Sequence, residues 1–415
     1  MKSKNLIAVT ILSFLIPLLF SCQPVKEKEE LTIGKWRGEF TIDHHPVPFN
    51  FIVEDDTAGT IKAFLVNADE RFALDSIRYE NDSVVIAIDV YDTELRAKVR
   101  KDSLIGYFKK HQATGKGVPF RAVKNQDFRF NVSDNRQSSA KPDGTWSVFL
   151  ESQKGKRYVV GKFNQQGKKV TGTFLTTTGD YRYLDGVVDG DSLKLSAFSG
   201  SNPTLLVAKF SDSIHFVGEY FSPSGKSTIT AIKSDTAKLP DPYTLTYLKS
   251  KTEPFQFSFP DLNGKTVSLS DEKYKGKAVI VTILGSWCPN CLDEAAFLSP
   301  WYKENKKRGV EIIGLSFERK DDPAFAKARL DKFIKRFDIQ YDILFAGIAD
   351  KAEASKKLPS LNAVLSFPTT LFIDPSGKVS KIHTGFNGPA TGELYKQFIK
   401  EFNADVDAIL PKPTI

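Results

Sequence analysis

Three cysteines in 415 residues are too few for a disulfide framework, which needs several pairs. Two of them, Cys288 and Cys291, stand three apart, and Cys22 stands alone near the start. Beyond residue 21 the chain has no apolar run long enough to span a bilayer. It lacks any basic block interleaved with aromatics. Its formal charge of +8 therefore reads as a solvated surface, and nucleic acid is not an expected partner. Histidine is scarce too: His44, His45, His111 and His215 show no metal-ligand spacing with cysteine or with each other, and His383 stands alone further on. Neither a metal nor a cofactor is expected.

The chain begins with an address. Lys2 and Lys4 precede an apolar run from Leu6 to Phe20, and Ser21 is small. This is the layout of a signal peptide over residues 1–21, too short and wrongly flanked for a transmembrane span. Leu19-Phe20-Ser21-Cys22 resembles the lipobox of bacterial lipoproteins. The resemblance implies that Cys22 is lipidated and the peptide before it removed, and two or three acyl chains anchor a protein stably. Residues 22–31, with Gln23-Pro24 and a run of Lys and Glu, form an expected flexible tether. They are similar to the acidic segments that send some Bacteroidota lipoproteins to the cell surface. The expected location is the cell envelope, lipid-anchored to a membrane and facing the periplasm or the cell surface. With Cys22 lipidated, an exported lone C-x-x-C pair points to redox chemistry.

Residues 32–236 read as strands. Alternating runs such as Ser83 to Ile88 and Lys194 to Phe198 are separated by Gly, Asp, Asn and Ser. The region repeats itself at an offset of about 110 residues: Gly34-Lys35-Trp36 with Gly144-Thr145-Trp146, Phe64-Leu65 with Phe174-Leu175, and Asp102-Ser103 with Asp212-Ser213. The expectation is two copies of one antiparallel all-β meander, barrel or sandwich, over 32–128 and 129–236. The Gly-x-Trp motif looks like the first strand of lipocalin-type barrels, with Trp36 and Trp146 as core fillers. Pro240, Pro242 and Pro254 mark a linker at 237–253.

From residue 254 to 408 the texture becomes α/β, with a short tail at 409–415. Ala278 to Leu284 is a continuous apolar run suited to a strand buried on both faces. Trp287-Cys288-Pro289-Asn290-Cys291 follows, then Leu292, Ala295, Ala296 and Leu298 at helical spacing. Further strands are expected at Val310 to Leu315 and Thr369 to Ile373, with helices around Phe325 to Phe337 and Leu394 to Phe402.

This part resembles the thioredoxin superfamily, in its TlpA/ResA-like and AhpC/TSA-related group. The residues that carry the likeness are Phe257 to Lys265, Lys275-Gly276-Lys277, Trp287 to Cys291, and Phe367-Pro368-Thr369. The resemblance implies a thiol–disulfide oxidoreductase with a redox-active Cys288–Cys291 disulfide. A strand followed by a helix starting near Pro289 puts Cys288 at the helix N-terminus, where unpaired N–H groups and the dipole favour a thiolate. C-x-x-C motifs lower the pKa of a thiol from about 8.5. Cys288 is the expected attacking sulfur and Cys291 the resolving one. Pro368 matches the family's cis-proline, and Trp287 is expected as a flat wall beside the sulfur.

Two departures bear on the chemistry. Thioredoxins proper carry a buried Asp where this chain has Thr282, so the proton acceptor for Cys291 must come from elsewhere. The resemblance points to Glu318. Glu294 matches the family's helix acid in C-x-x-C-x-x-E, although Pro300 falls late for the usual helix proline. The expected partners are client protein disulfides, a membrane electron donor such as a DsbD/CcdA-like protein, and the bilayer through Cys22. One rival is an AhpC/TSA-type peroxidase, which places a Thr where this chain has Gly285. The other is an envelope binding protein whose β region is the main functional part.

Overall fold

Each Gly-x-Trp motif opens a strand whose alternate residues turn inward. The computed structural model describes residues 29–56, 59–111, 113–133, 140–250, 252 and 254–411. The signal peptide, Cys22, residues 23–28 of the tether and residues 412–415 lie outside them. Trp36 Nε1 donates to the Thr32 carbonyl at 3.1 Å, and Trp146 Nε1 to the Pro142 carbonyl at 2.6 Å. Both rings are 0% exposed, so each indole needs that acceptor: a buried donor left unpaired costs about 1–3 kcal/mol. Among the described residues no helix is long and apolar enough to cross a membrane.

The first β unit has nine antiparallel strands, from Gly34–Ile42 to Val118–Lys124, with Glu70–Ala73 and Ser76–Glu80 as its end strands. The second runs from Gly144–Ser152 to Gly225–Lys233. There the strand Gly155–Gln166 pairs with both Gly144–Ser152 and Lys169–Thr176, which closes an eight-stranded barrel. A two-residue strand, Gly179–Asp180, folds back on Lys169–Thr176 as an added hairpin.

The barrel core holds Trp146, with Phe210 and Phe216 against it at 5.7 and 4.9 Å. Trp146→Ala should destabilise the second unit by about 3–5 kcal/mol through lost burial and the cavity left behind. Urea denaturation of the full chain, followed by β-sheet circular dichroism, would read this as an earlier transition of that unit.

The two units are joined through their cores. Phe198, from the second, lies among Phe40, Phe49 and Phe108 of the first at 4.8, 5.3 and 5.1 Å. Asn67 donates to the Phe198 carbonyl and accepts from its N–H.

The segment after the barrel is tied to the C-terminal domain. Tyr243 donates to Asp405 at 2.7 Å, Thr246 N to Thr384 Oγ1 at 3.2 Å, and Leu248 bridges to Leu361. The C-terminal domain is thioredoxin-like. Its sheet runs in the order Asp342–Ile348, Val310–Glu318, Ala278–Leu284, Thr369–Ile373, Val379–Thr384; the first three strands pair in parallel, and Thr369–Ile373 is antiparallel to both its neighbours. Its helices are α1 (Pro289–Asn305), α2 (Pro323–Phe337), α3 (Lys351–Lys357) and α4 (Glu393–Ile409). The strand Asp342–Ile348 and α3 were not expected from the sequence. Both are seven residues long, short enough that packing rather than periodicity makes them. Pro300 lies inside α1, which runs on past it to Asn305.

Helix α2 rests on the first β unit. Arg329 donates to the Val90 carbonyl at 2.6 Å, and Lys332 and Arg336 pair with Asp89 and Asp75.

Candidate active site around Cys288 and Cys291

The central strand Ala278–Leu284 is buried along its whole length and delivers the chain to a tight loop, Gly285-Ser286-Trp287. Gly285 has no room for a side chain: a Cβ there would lie 2.4 Å from Trp287 Nε1 and 2.9 Å from the Phe317 carbonyl. A threonine at this position would force Trp287 and the Phe317 carbonyl to shift. Trp287 Nε1 donates to the Phe317 carbonyl at 2.9 Å, and its ring meets Phe367 edge-on at 5.7 Å. The indole is half-buried, which makes it a wall of the site.

Cys288 occupies the N-cap position of α1 in extended backbone, with Pro289 at the first helical position. Proline there loses no hydrogen bond, because the first N–H groups of a helix have no internal partner. Both cysteines are free thiols. Cys288 is 7% exposed and Cys291, three residues further along α1, is 1% exposed. The Cys288 thiol donates to the Phe367 carbonyl at 3.1 Å, and the Phe367–Pro368 bond is cis. Burial pushes the Cys291 thiol well up, and the adjoining Cys288 sulfur and Glu294 add to it.

Two buried carboxyls lie near this pair, in different surroundings. Glu294 projects from α1 onto the sheet. Thr282 and Thr370, register partners on adjacent strands, donate to its two oxygens at 2.5 and 2.6 Å. Burial pushes this carboxyl up to about 7, against the pull of the two hydroxyls. Thr282, the position at which thioredoxins proper carry an acid, thus holds an acid that arrives from the opposite helix. The signal for it was present as the C-x-x-C-x-x-E spacing, since residues three apart share a helix face.

Glu318, at the end of the strand Val310–Glu318, accepts from Ser286 N at 2.9 Å, Ser286 Oγ at 2.8 Å and Ser316 Oγ at 2.7 Å. It is 1% exposed, and burial raises its pKa. Its oxygens brace the loop that carries Trp287 and Cys288.

Both β units reach this site, which sequence reasoning did not foresee. Arg182 of the second unit donates to the Pro289 carbonyl at 3.2 Å and to Asp293 at 2.7 Å, and also bonds Glu70 of the first unit. Asp293 is pushed up to about 7 by burial; Arg182 opposes this, while Asp180 and Glu70 add to it. Among the described residues, no group of three His, Cys, Asp or Glu side chains converges as a metal site would require.

Comparison with known proteins places this geometry. The AhpC/TSA family matches residues 252–382. A thiol-disulfide oxidoreductase ResA of Bacillus thuringiensis subsp. konkukian is 31% identical over 145 residues, 35% of this chain and 73% of that protein. A ResA of Bacillus subtilis is 30% identical over 144 residues, 35% of this chain and 72% of that protein. Among solved structures, a thiol-disulfide oxidoreductase from Bacteroides fragilis aligns with TM-score 0.27 and 23% identity, covering 35% of this chain and 99% of that one. A thiol:disulfide interchange protein from Chlorobium tepidum aligns with TM-score 0.29 and 23% identity, covering 39% and 99%.

Proposed function

Because this chain belongs to the ResA-like thiol-disulfide oxidoreductases of the AhpC/TSA family, we propose that it reduces disulfides of client proteins through Cys288 and Cys291. The observation that carries the reading is the sulfur geometry. Cys288 stands at the N-cap position of a helix with its sulfur on the carbonyl before cis-Pro368, and Cys291 is buried one turn behind it. The Cys288 thiolate attacks one sulfur of the client disulfide. That S–S bond breaks, the departing client sulfur takes up a proton, and a mixed disulfide remains. Cys291 gives up its proton and attacks Cys288 Sγ, releasing the second client sulfur as a thiol. Two electrons have then passed from the dithiol to the client, and Cys288–Cys291 is a disulfide.

Glu294 is the carboxylate suited to take the Cys291 proton. It lies on the same helix three residues on, and its pKa of about 7 lets it accept and return a proton near neutral pH. Glu318 is better suited to hold the active-site loop. Trp287 and Pro368 shape the approach to the sulfur.

The lipobox-like Leu19 to Cys22 supports lipid anchoring through Cys22 in the cell envelope, with a DsbD/CcdA-like membrane protein as the electron source. The Pro289-Asn290 dipeptide carries no cation, and Arg182, which reaches Pro289, is matched by Asp293 and Glu70, although the Lys351 ammonium acts on Cys288 from the start of α3. With one lysine acting on the sulfur and no cation between the two cysteines, the couple is expected to be reducing. Equilibration with glutathione or dithiothreitol should place it near or below about −270 mV, as in thioredoxin. A value near about −120 mV would make the protein a disulfide donor instead.

A further inference from the structure

We propose that the hairpin tip Thr177–Arg182 of the second β unit is a specificity-determining part of the redox site. It closes one flank of the approach to Cys288, so that the enzyme accepts a cysteine on a narrow, extended client segment and turns away broad folded surfaces. The inference rests on the disulfide-exchange reading above.

The tip is seated on the redox domain by contacts at every residue from 178 to 182 except Tyr181. The Thr178 carbonyl accepts from Ser366 Oγ at 3.1 Å, two residues before cis-Pro368. Gly179 lies so close to the first turn of α1 that a Cβ would fall 1.7 Å from the Asn290 amide and 2.8 Å from the Phe386 carbonyl. With its amide oriented to satisfy both ends, Asn290 donates to the Asp180 carbonyl at 3.1 Å and accepts from Asp180 N at 3.2 Å. The Asp180 carboxylate accepts from Gly388 N at 2.6 Å. Arg182 completes the set at Pro289 and Asp293. On the facing loop, a Cβ at Gly385 would meet the Thr178 backbone at 2.9 Å. Two glycines thus stand where the two surfaces approach most closely.

A mixed disulfide has its own geometry. The two Cα atoms sit about 5.5 Å apart, so client residues beside the bonded cysteine must run within a few ångströms of Pro289, Asn290 and Phe367. The flank formed by Asn290 and Ser366 is already taken by the hairpin tip, and Cys288 keeps only 7% exposure. Trp287, with Arg319 above its ring at 5.7 Å, borders the approach elsewhere. A client must enter past these residues, which favours a chain segment over a folded face. Arg182 secures the arrangement, because removing one partner of a buried ion pair is strongly destabilising.

The test compares wild type, Gly179→Leu, and the double variant Asp180→Ala/Arg182→Ala, all as full chain. Gly179→Leu forces the tip away by steric overlap, and the double variant releases its polar contacts. Each reduced protein is assayed with insulin, a folded protein disulfide, and with the small disulfide 5,5′-dithiobis(2-nitrobenzoate). Near-ultraviolet circular dichroism checks that both β units remain folded. The expected result is a rise in insulin kcat/KM of about tenfold in each folded variant, with the small-disulfide rate changing less than about twofold; tenfold corresponds to about 1.4 kcal/mol. Insulin reduction unchanged or lowered, with small-disulfide reduction intact, overturns the proposal while leaving the exchange chemistry standing. Equal rises for both substrates also overturn it, since the tip would then limit the sulfur's reactivity and not the client's shape. A wild type that reduces neither substrate removes the exchange reading and this inference together.

Discussion

Cys291→Ser is expected to stop turnover at the first chemical step and leave the client covalently bound to Cys288. Cys291 sits three residues from Cys288 on the same helix, 1% exposed, and attacks intramolecularly. Well-oriented intramolecular groups act at effective molarities of about 10⁵ M or more. Without Cys291 the mixed disulfide waits for an external thiol at millimolar concentration, so turnover should fall by at least about 10³-fold. The trapped adduct should survive non-reducing electrophoresis and come apart on adding dithiothreitol. Cys288→Ser should form no adduct, because the remaining sulfur lies behind the first. If Cys291→Ser formed no adduct while Cys288→Ser did, the order of attack would be the reverse, with Cys291 as the attacking sulfur. The two variants therefore assign the roles, and the trapped client identifies itself.

Glu294→Gln should lower activity and raise stability, a pairing that a purely structural residue would not produce. The activity loss follows from proton transfer. A positioned acid–base group contributes about 10²-fold or more, so client reduction at pH 7 should drop by roughly that factor. The inflection near pH 7 should leave the pH–rate profile with it.

The stability gain follows from linkage. The folded carboxyl titrates at about 7, above its ordinary 4.5, so the folded state binds the proton more tightly than the unfolded state. Its favourable contribution is complete below pH 4.5 and is lost as pH rises through 7. At pH 8 the ionised carboxylate costs on the order of 3 kcal/mol relative to a neutral side chain. Glu294→Gln removes that cost and keeps the Thr282 and Thr370 contacts, since either hydroxyl can turn to accept. Its Tm should exceed wild type at pH 8, and the gap should close towards pH 4.5. Glu318→Gln provides the contrast. It disturbs the bonds to Ser286 N and Ser286 Oγ that hold the loop, so activity should fall across the pH range without losing the inflection near 7. A Glu294→Gln enzyme that kept its pH profile would return the proton-accepting role to Glu318.

Arg182, Glu70 and Asp180 also recast the duplicated β region. Glu70 and Asp180 lie at equivalent hairpins of the two repeats: Asp180 accepts from Gly388 N of the redox domain, and Glu70 pairs with Arg182, which itself reaches the first turn of α1. The equivalent corners of the two repeats therefore meet each other at Arg182, and the second presents its corner to the redox domain. One copy closes as a barrel and supplies the tip, and the other supplies the carboxylate that matches Arg182.

What the sequence determined by itself was local. The C-x-x-C spacing, the apolar run from Ala278 to Leu284 before it and Pro289 after Cys288 specify a strand, a turn and a capped helix, because each of those preferences acts over a few residues. The offset of about 110 between the Gly-x-Trp motifs declared two similar antiparallel β units, while closure of the second into a barrel depends on a long-range strand pairing that the repeat does not encode. The tertiary structure decided which groups surround the sulfurs. Glu294 meets Thr370 across 76 positions, Arg182 meets Asp293 across 111 and Glu70 across 112, and Thr178 meets Ser366 across 188. A carboxyl's pKa and a sulfur's accessibility depend on what is packed against them. No local pattern encodes that packing: the C-x-x-C-x-x-E spacing places Glu294 on the cysteine face of α1, but the parts played by Glu294 and Glu318 are set by what packs against them.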